Sequence, residues 1–400
     1  MIPRRDVLAG LAATGAGALL APRAAFARAR TDRRLVVVIL RGGIDGLSLL
    51  PPVDERAYYD RRPRIAIAKP GSGNDAAIAL GGSFGLHPAL APLAPLYRAG
   101  QLLPVAAVGL PMRTRSHFDA QDVLENGTER PRGRRDGWLN RALVAIDGGQ
   151  TGLGLSVGHG MPLMIRGAAP VRSWEPKVLP QADAGFLDQL AMLYAGDPMF
   201  AKALRQARRS AASVPPAMGG GRMGGRLMRG RRAIQTLARA TGKLLAQADG
   251  PRIAVVEAGG WDTHVNQKGV LNRRLPQLAT GLITLKDTLG PAWDKTAVLV
   301  VTEFGRTVAE NGGRGTDHGT AGTALLLGGA VNGGRIAGRW PGLSERALYE
   351  GRDLRPTTDM RSLFKGVLRD HLRISQARLE DTVFPASRSA QPLGGLIRKA

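Results

Sequence analysis

The chain has 400 residues, 54 of them glycine and none cysteine, with a formal charge of +24 and 44% hydrophobic residues. That hydrophobic share supports a large core and excludes wholesale disorder. The absence of cysteine excludes disulfides, thiolate zinc sites, iron–sulfur clusters and a cysteine nucleophile, and the excess of cations implies an anionic partner without identifying it.

The first thirty residues read as a targeting segment. Arg4-Arg5 precede a weakly apolar stretch, Val7 to Ala21, and small residues then offer cleavage at Ala25-Phe26-Ala27 or Ala27-Arg28-Ala29. The stretch is shorter and milder than the roughly 20 apolar residues of a spanning helix. The pattern is that of a twin-arginine export signal. Residues 1–29 are therefore expected to be a signal peptide. The twin-arginine translocase would be the partner during export, and the product would be periplasmic or secreted with no transmembrane segment.

Leu35–Leu40 is a continuous β-branched apolar run and reads as a buried parallel strand. A helix is expected over Pro88–Arg98, a strand over Leu102–Val108, and a helix over Phe118–Asn126 with Ser116 or His117 near its start. Residues 133–180 mix glycine, proline and short apolar runs and give no clear period. Residues 183–250 read as a helical insertion broken by a Pro/Gly/Met-rich linker. Within it, residues 198–247 carry 11 lysines and arginines and no acid. Ile253–Glu257 reads as a strand, the leucines 275, 278, 282, 285 and 289 mark one face of a helix, and Ala297–Thr302 reads as the next strand. Strand, helix, strand at this spacing is a βαβ unit. Ala324–Leu327 is a further strand and Thr357–Leu372 a final amphipathic helix. The expectation is one α/β domain over residues 30–375, built on a mostly parallel sheet with helices on both faces and a helical cap, followed by a tail at 376–400.

Ligands of open parallel sheets bind beyond the carboxyl ends of the strands, and polar groups concentrate there. Asp45 follows the first strand; Arg113, Arg115, Ser116 and His117 follow the second. Asp262 and His264 follow the third, and Glu303, Arg306, Asp317 and His318 follow the fourth. Acids and imidazoles converging on one edge are what a divalent cation needs, with zinc, manganese, magnesium and calcium all open. One or two ions would activate water or the Ser116 hydroxyl and polarise a phosphoryl or sulfuryl oxygen. Arg113, Arg115 and Arg306 would hold its other oxygens. Trp261 reads as a packing residue, and His87, His159 and His371 as structural or solvated.

Several stretches resemble one bacterial family, the domain-of-unknown-function family fifteen-oh-one: the twin-arginine leader, LRGGIDGLSLLPP (40–52), RSHFDAQDVLENG (115–127), GGWDTHVNQ (259–267), TEFGRT (302–307), GTDHGTAGTALLLGGAVNGG (315–334) and LRPTTDMRSLF (354–364). The resemblance covers residues 33–375 and implies the alkaline phosphatase and sulfatase fold. It implies a first ion on Asp262, His264 and His318 and a second on Asp45, Ser116 and Glu303, with Ser116, or secondarily Thr114, as nucleophile. An alternative alignment makes Asp317-His318 the metal-binding Asp-His pair. Phe304 stands where a histidine is expected beside Glu303, which leaves one ion site a ligand short.

These features point to an exported metal-dependent hydrolase of phosphate or sulfate esters acting on an anionic small molecule or polyanion. The alternative is a non-catalytic exported binding protein on a degenerate phosphatase-like site. Nucleic acid is not an expected partner, because the basic run lacks interleaved aromatics. Arg41-Gly42-Gly43 is not a nucleotide-binding fingerprint.

Overall fold

The computed structural model describes residues 31–73, 75–147, 152–176, 184–213 and 233–399. The expected signal peptide and the linker between 214 and 232 lie outside the described residues. Eight strands form the central sheet: β1 (Arg34–Arg41), β2 (Leu102–Gly109), β3 (Gly154–Val157), β4 (Val171–Trp174), β5 (Ile253–Gly259), β6 (Thr296–Val301), β7 (Gly322–Leu327) and β8 (Thr358–Asp359). Their spatial order is β8-β2-β7-β6-β1-β5-β3-β4. Only β7 runs antiparallel to its neighbours, and the other pairings are parallel.

The parity of β1 shows how the sheet is covered. Leu35, Val37 and Ile39 enter one core with Val255, Leu299 and the helices α1 (His117–Asn126), α2 (Trp138–Asp147) and α7 (Met360–Asp370). Val36, Val38 and Leu40 enter a second core on the opposite face. That core is closed by α5 (Ala233–Ala246) and α6 (Gln267–Leu289). A strand buried on both faces needs apolar residues at consecutive positions, which is why LVVVIL carries no alternation.

The helical insertion divides in two. Helices α3 (Ala184–Leu193) and α4 (Pro198–Ser213) precede the linker. Helix α5 follows it and buries Leu237, Leu244 and Leu245 in the second core, so it belongs to the domain proper rather than to a cap. The expected tail is also core. Leu379, Val383, Phe384 and Leu396 are fully buried, and the Phe384 ring lies 5.3 Å from Trp138. Val331 and Ile397 form a β-bridge.

Because β1, β2, β5 and β6 run the same way, the loops after them gather on one edge. The reversed β7 begins at that edge, so the loop that carries Asp317 and His318 into it lies there too.

Candidate metal centre at the carboxyl edge of the sheet

Three loops are fastened together by backbone. Arg306 and His318 form an antiparallel bridge, with Thr307 N–H donating to the Asp317 carbonyl at 2.9 Å and Gly319 N–H to the Gly305 carbonyl at 2.9 Å. The loop after β5 joins them: Asn266 and Gln267 donate to the Gly313 and Arg314 carbonyls, each at 2.9 Å. Gly315 allows this approach, since a Cβ there would lie 2.2 Å from the His264 carbonyl oxygen. Gly42, at φ +121°, does the same for the loop after β1, where a Cβ would meet the Asp262 nitrogen at 2.5 Å.

Side chains complete the brace. The buried Arg306 guanidinium donates to the carbonyls of Gly43 and Gly42, both at 2.6 Å, to the Thr316 carbonyl at 3.0 Å, and to Asp262 Oδ1 at 2.5 Å. It therefore links the loops and aims Asp262; it is not free to grip a substrate oxygen. Burial pushes the Asp262 carboxyl up, but the Arg306 hydrogen bond and charge outweigh this and hold it below its usual range.

Around Asp262 stand three imidazoles. One ligand atom each from His117, Asp262 and His318 fall within 4.8 Å of one another. His264 Nε2 lies 3.0 Å from Asp262 Oδ1 and 2.9 Å from His318 Nε2. His318 Nε2 lies 3.3 Å from the same oxygen, and His117 Nε2 lies 3.5 Å from Oδ2.

Every one of these rings is anchored by its other nitrogen. His117 Nδ1 lies 2.8 Å from Glu303 Oε1, His318 Nδ1 2.8 Å from the Arg115 carbonyl, and His264 Nδ1 3.2 Å from Asp317 Oδ1. Carbonyl and carboxylate oxygens only accept, so with the proton on Nδ1 each ring would turn an Nε2 lone pair inward, the arrangement a cation beside Asp262 requires. Burial lowers the His318 pKa further, favouring the neutral ring. His117 Nε2 is buried with no hydrogen-bond partner. Two facing imidazole nitrogens at 2.9 Å and an orphaned third nitrogen fit a shared cation. Ligand bonds of about 2.1 Å would set tetrahedral donors about 3.4 Å apart, and the imidazole nitrogens lie 3.0, 3.3 and 3.5 Å from the Asp262 oxygens.

The residues expected from sequence thus sort into three positions. Asp262, His264 and His318 converge. Glu303 and Asp317 stand behind histidines rather than at the centre. Glu303 is fully buried and also accepts from Gly42 N–H at 2.8 Å, Gln121 Nε2 at 3.0 Å and Thr302 Oγ1 at 2.9 Å. Burial raises its pKa, but the hydrogen bonds from Gln121, His117 and the backbone hold the carboxyl below its usual range. Asp317 is braced by Asn311 Nδ2 at 3.0 Å.

Asp45 leaves the ligand set altogether. It is buried, caps the short helix Gly46–Leu49, and accepts from Arg62 at 2.5 and 3.0 Å, Ser48 Oγ at 2.5 Å and Gln267 at 2.9 Å. Ser116 is the N-cap of α1, with Oγ accepting from Asp119 N–H at a long 3.4 Å. Arg115 is tied up by Asp353 and Glu350, both at 2.7 Å. Arg113 is exposed and donates to the Leu110 carbonyl. Phe304 is buried under the site, its ring 4.8 Å from both His117 and His318. Trp261 is packed and donates to the Ala258 carbonyl.

Residues 102–383 match the model of the family described as "Protein of unknown function (DUF1501)". The chain belongs to this family. As a DUF1501 protein it finds no match among curated proteins. Among solved structures it is similar to an alkaline phosphatase superfamily protein from Vibrio parahaemolyticus, at 12% identity and a TM-score of 0.37 over 77% of this chain. The DUF1501 chain spans 63% of the length of that protein. A 2-O GAG sulfatase matches at 10% identity and a TM-score of 0.38, covering 90% of this chain and 73% of its own. The phosphonate monoester hydrolase of Agrobacterium radiobacter matches at 13% identity and a TM-score of 0.40, covering 86% and 74%.

Sequence reasoning placed His117 on this edge without assigning it to an ion, and it missed Gln121 and Arg62. His117 carried a usable signal: it directly follows the N-cap Ser116, at the end of a loop leaving a buried strand. Arg62 and Gln121 carried none, because their roles depend on partners 17 and 182 residues away.

Proposed function

We propose that the protein is an exported, metal-dependent hydrolase of phosphate or sulfate esters that works through one divalent ion. The ion would be held by His117, Asp262, His264 and His318. The observation that carries this is the convergence of three Nε2 atoms on one carboxylate, each ring held by an oxygen at its Nδ1. Three imidazoles and one carboxylate favour a borderline ion such as zinc over magnesium or calcium, which take mostly oxygen. When bound, such an ion polarises an ester oxygen and activates water or a hydroxyl.

The chain's own residues supply the rest. Ser116, next to His117, is the candidate nucleophile; its long cap bond leaves Oγ available. It stands at the N-terminus of the ten-residue α1, where the helix dipole favours an anion. Arg113, the one of the three arginines not engaged by an acid, is the candidate to meet a tetrahedral anion. A cleft of 770 Å³ opens beside Asp262, lined by His159, Trp261, Arg273 and Arg274 among others, with room for the remainder of an ester. Phe118 and Val265, 88% and 67% exposed beside two of the histidines, offer apolar surface to it.

A screen of p-nitrophenyl phosphate, bis-p-nitrophenyl phosphate and p-nitrophenyl sulfate with zinc-loaded protein tests this reading. Turnover that disappears in His318→Ala supports it, and zinc-loaded protein inert toward all phosphate and sulfate esters overturns it. The engagement of Arg115 and Arg306 by acids and carbonyls favours a second reading, a binding protein that keeps the ion without turnover. Export by the twin-arginine route rests on Arg4-Arg5. Replacing both with lysine should retain the protein in the cytoplasm.

A further inference from the structure

Seven large apolar side chains are exposed among the described residues, and five fall between 186 and 200: Phe186, Met192, Leu193, Met199 and Phe200. They belong to the corner formed by α3 and α4. Met192 and Leu193, 77% and 75% exposed, close the first helix; Met199 and Phe200, 67% and 46% exposed, open the second. The corner between them is well formed. Asp197 Oδ1 caps α4 by accepting from the Met199 and Phe200 N–H groups at 2.9 and 3.1 Å. The Tyr194 and Phe200 rings stack at 5.2 Å across the bend. No described side chain from 185 to 208 is buried. The apolar tip is therefore an ordered projection that no part of the described domain covers.

Its charge is net positive: α3, the bend and α4 hold Lys202, Arg205, Arg208 and Arg209 against Asp188 and Asp197. Lys202 and Arg205 are exposed on the first turns of α4 behind the tip, Arg208 pairs with Asp188 at 2.7 Å, and Asp197 is engaged as the cap of α4.

We propose that this corner docks on an anionic lipid surface, with Met192, Leu193, Met199 and Phe200 entering the headgroup region and the cations of α4 meeting lipid phosphates. Apolar side chains on a helical projection backed by lysine and arginine are what partition into an anionic interface. A second copy of this chain is disfavoured as the occupant, since it would bring the same cations to the contact. Among the described residues no helix is long and apolar enough to cross a membrane, so the attachment is peripheral.

The absence of native cysteine gives a clean test. Leu193→Cys and, as control, Asp294→Cys would be labelled with an environment-sensitive fluorophore and mixed with vesicles of equal phosphatidylglycerol and phosphatidylcholine, or of phosphatidylcholine alone. The Leu193→Cys label should shift to the blue on the anionic vesicles and the Asp294→Cys label should not. Sedimentation should show binding to the anionic vesicles about tenfold or more tighter than to neutral ones, weakening in high salt. The Leu193→Ser/Phe200→Ser double variant should lose about tenfold, and both sites are exposed, so its fold should be retained by circular dichroism. Three results would overturn the proposal: no vesicle binding (leaving an acidic protein as occupant), equal binding to neutral vesicles, or full binding by the double variant, which would mark adsorption of cations alone.

Discussion

Asp45 and Asp262 begin from the same position. Each follows a strand of one parallel sheet, at the same edge, and each binds a buried arginine at 2.5 Å. Their surroundings then separate them. Asp45 is 1% exposed and its oxygens are saturated by Arg62, Ser48 and Gln267. Asp262 is 43% exposed, and beyond Arg306 it faces three imidazole nitrogens. A buried ion pair whose remaining lone pairs are filled is a structural element. A carboxylate aimed by an arginine and left open toward imidazole nitrogens has the surroundings the proposed ligand needs. The difference lies in what else points at the oxygen, not in the aspartate or in its place on the strand.

This comparison can be broken by substitution. Arg62→Leu strands the Asp45 carboxylate in the core and should cost about 3–5 kcal/mol in urea unfolding. The ion content of the protein that folds should be unchanged. Arg306→Leu should destabilise too, but should also release the ion, because the same guanidinium aims Asp262. His318→Ala should lower ion affinity by about 100-fold or more with little loss of fold, as measured by competition with a chelating dye. Glu303→Gln removes the charge behind His117 and should cost about 10–100-fold in ion affinity. An affinity loss at Arg62→Leu equal to that at His318→Ala would erase the distinction.

The histidines sharpen it from another side. His87 and His371 are buried outside the cluster around Asp262, and desolvation pushes each down to about 4. A neutral buried histidine binds its proton more readily unfolded. Its contribution is full above the ordinary histidine value near 6.5 and is lost as pH falls from there toward 4. Each should steepen acid destabilisation by at most about 1.4 kcal/mol per pH unit in that window. His371→Gln should flatten the slope, read from urea midpoints between pH 7 and 4, without touching ion binding. Ser116→Ala gives the smallest stability change, about 1 kcal/mol for a lost cap. Loss of ester turnover well beyond that cost would support Ser116 as nucleophile.

Much of this was legible in the sequence. LVVVIL, IAVVE and AVLVVT marked strands buried on both faces, and the leucine face of residues 275–289 marked the crossover helix. From strand direction alone, Asp262, His264 and His318 fell on one edge, where the structure brings them together. The departures have physical causes. Asp45 reads like Asp262 until Arg62 and Gln267 fold onto it, and neither residue is marked by spacing. Glu303 and Asp317 have the right chemistry and the right edge, but side-chain length and direction put them behind the histidines. His117 was hidden by the capping role of its neighbour. Residues 376–399 looked like a tail because their core contacts, Phe384 with Trp138 and Ile397 with Val331, are not periodic along the chain.

The central claim is a single ion held by His117, Asp262, His264 and His318. Zinc titrated calorimetrically into metal-free protein tests it most directly, comparing the wild type with Asp262→Asn and Asp45→Asn. The account predicts one ion per chain, an affinity lowered about 100-fold or more by Asp262→Asn, and the wild-type stoichiometry and affinity in Asp45→Asn. No zinc binding by the wild type, or two ions per chain with one lost in Asp45→Asn, would contradict it.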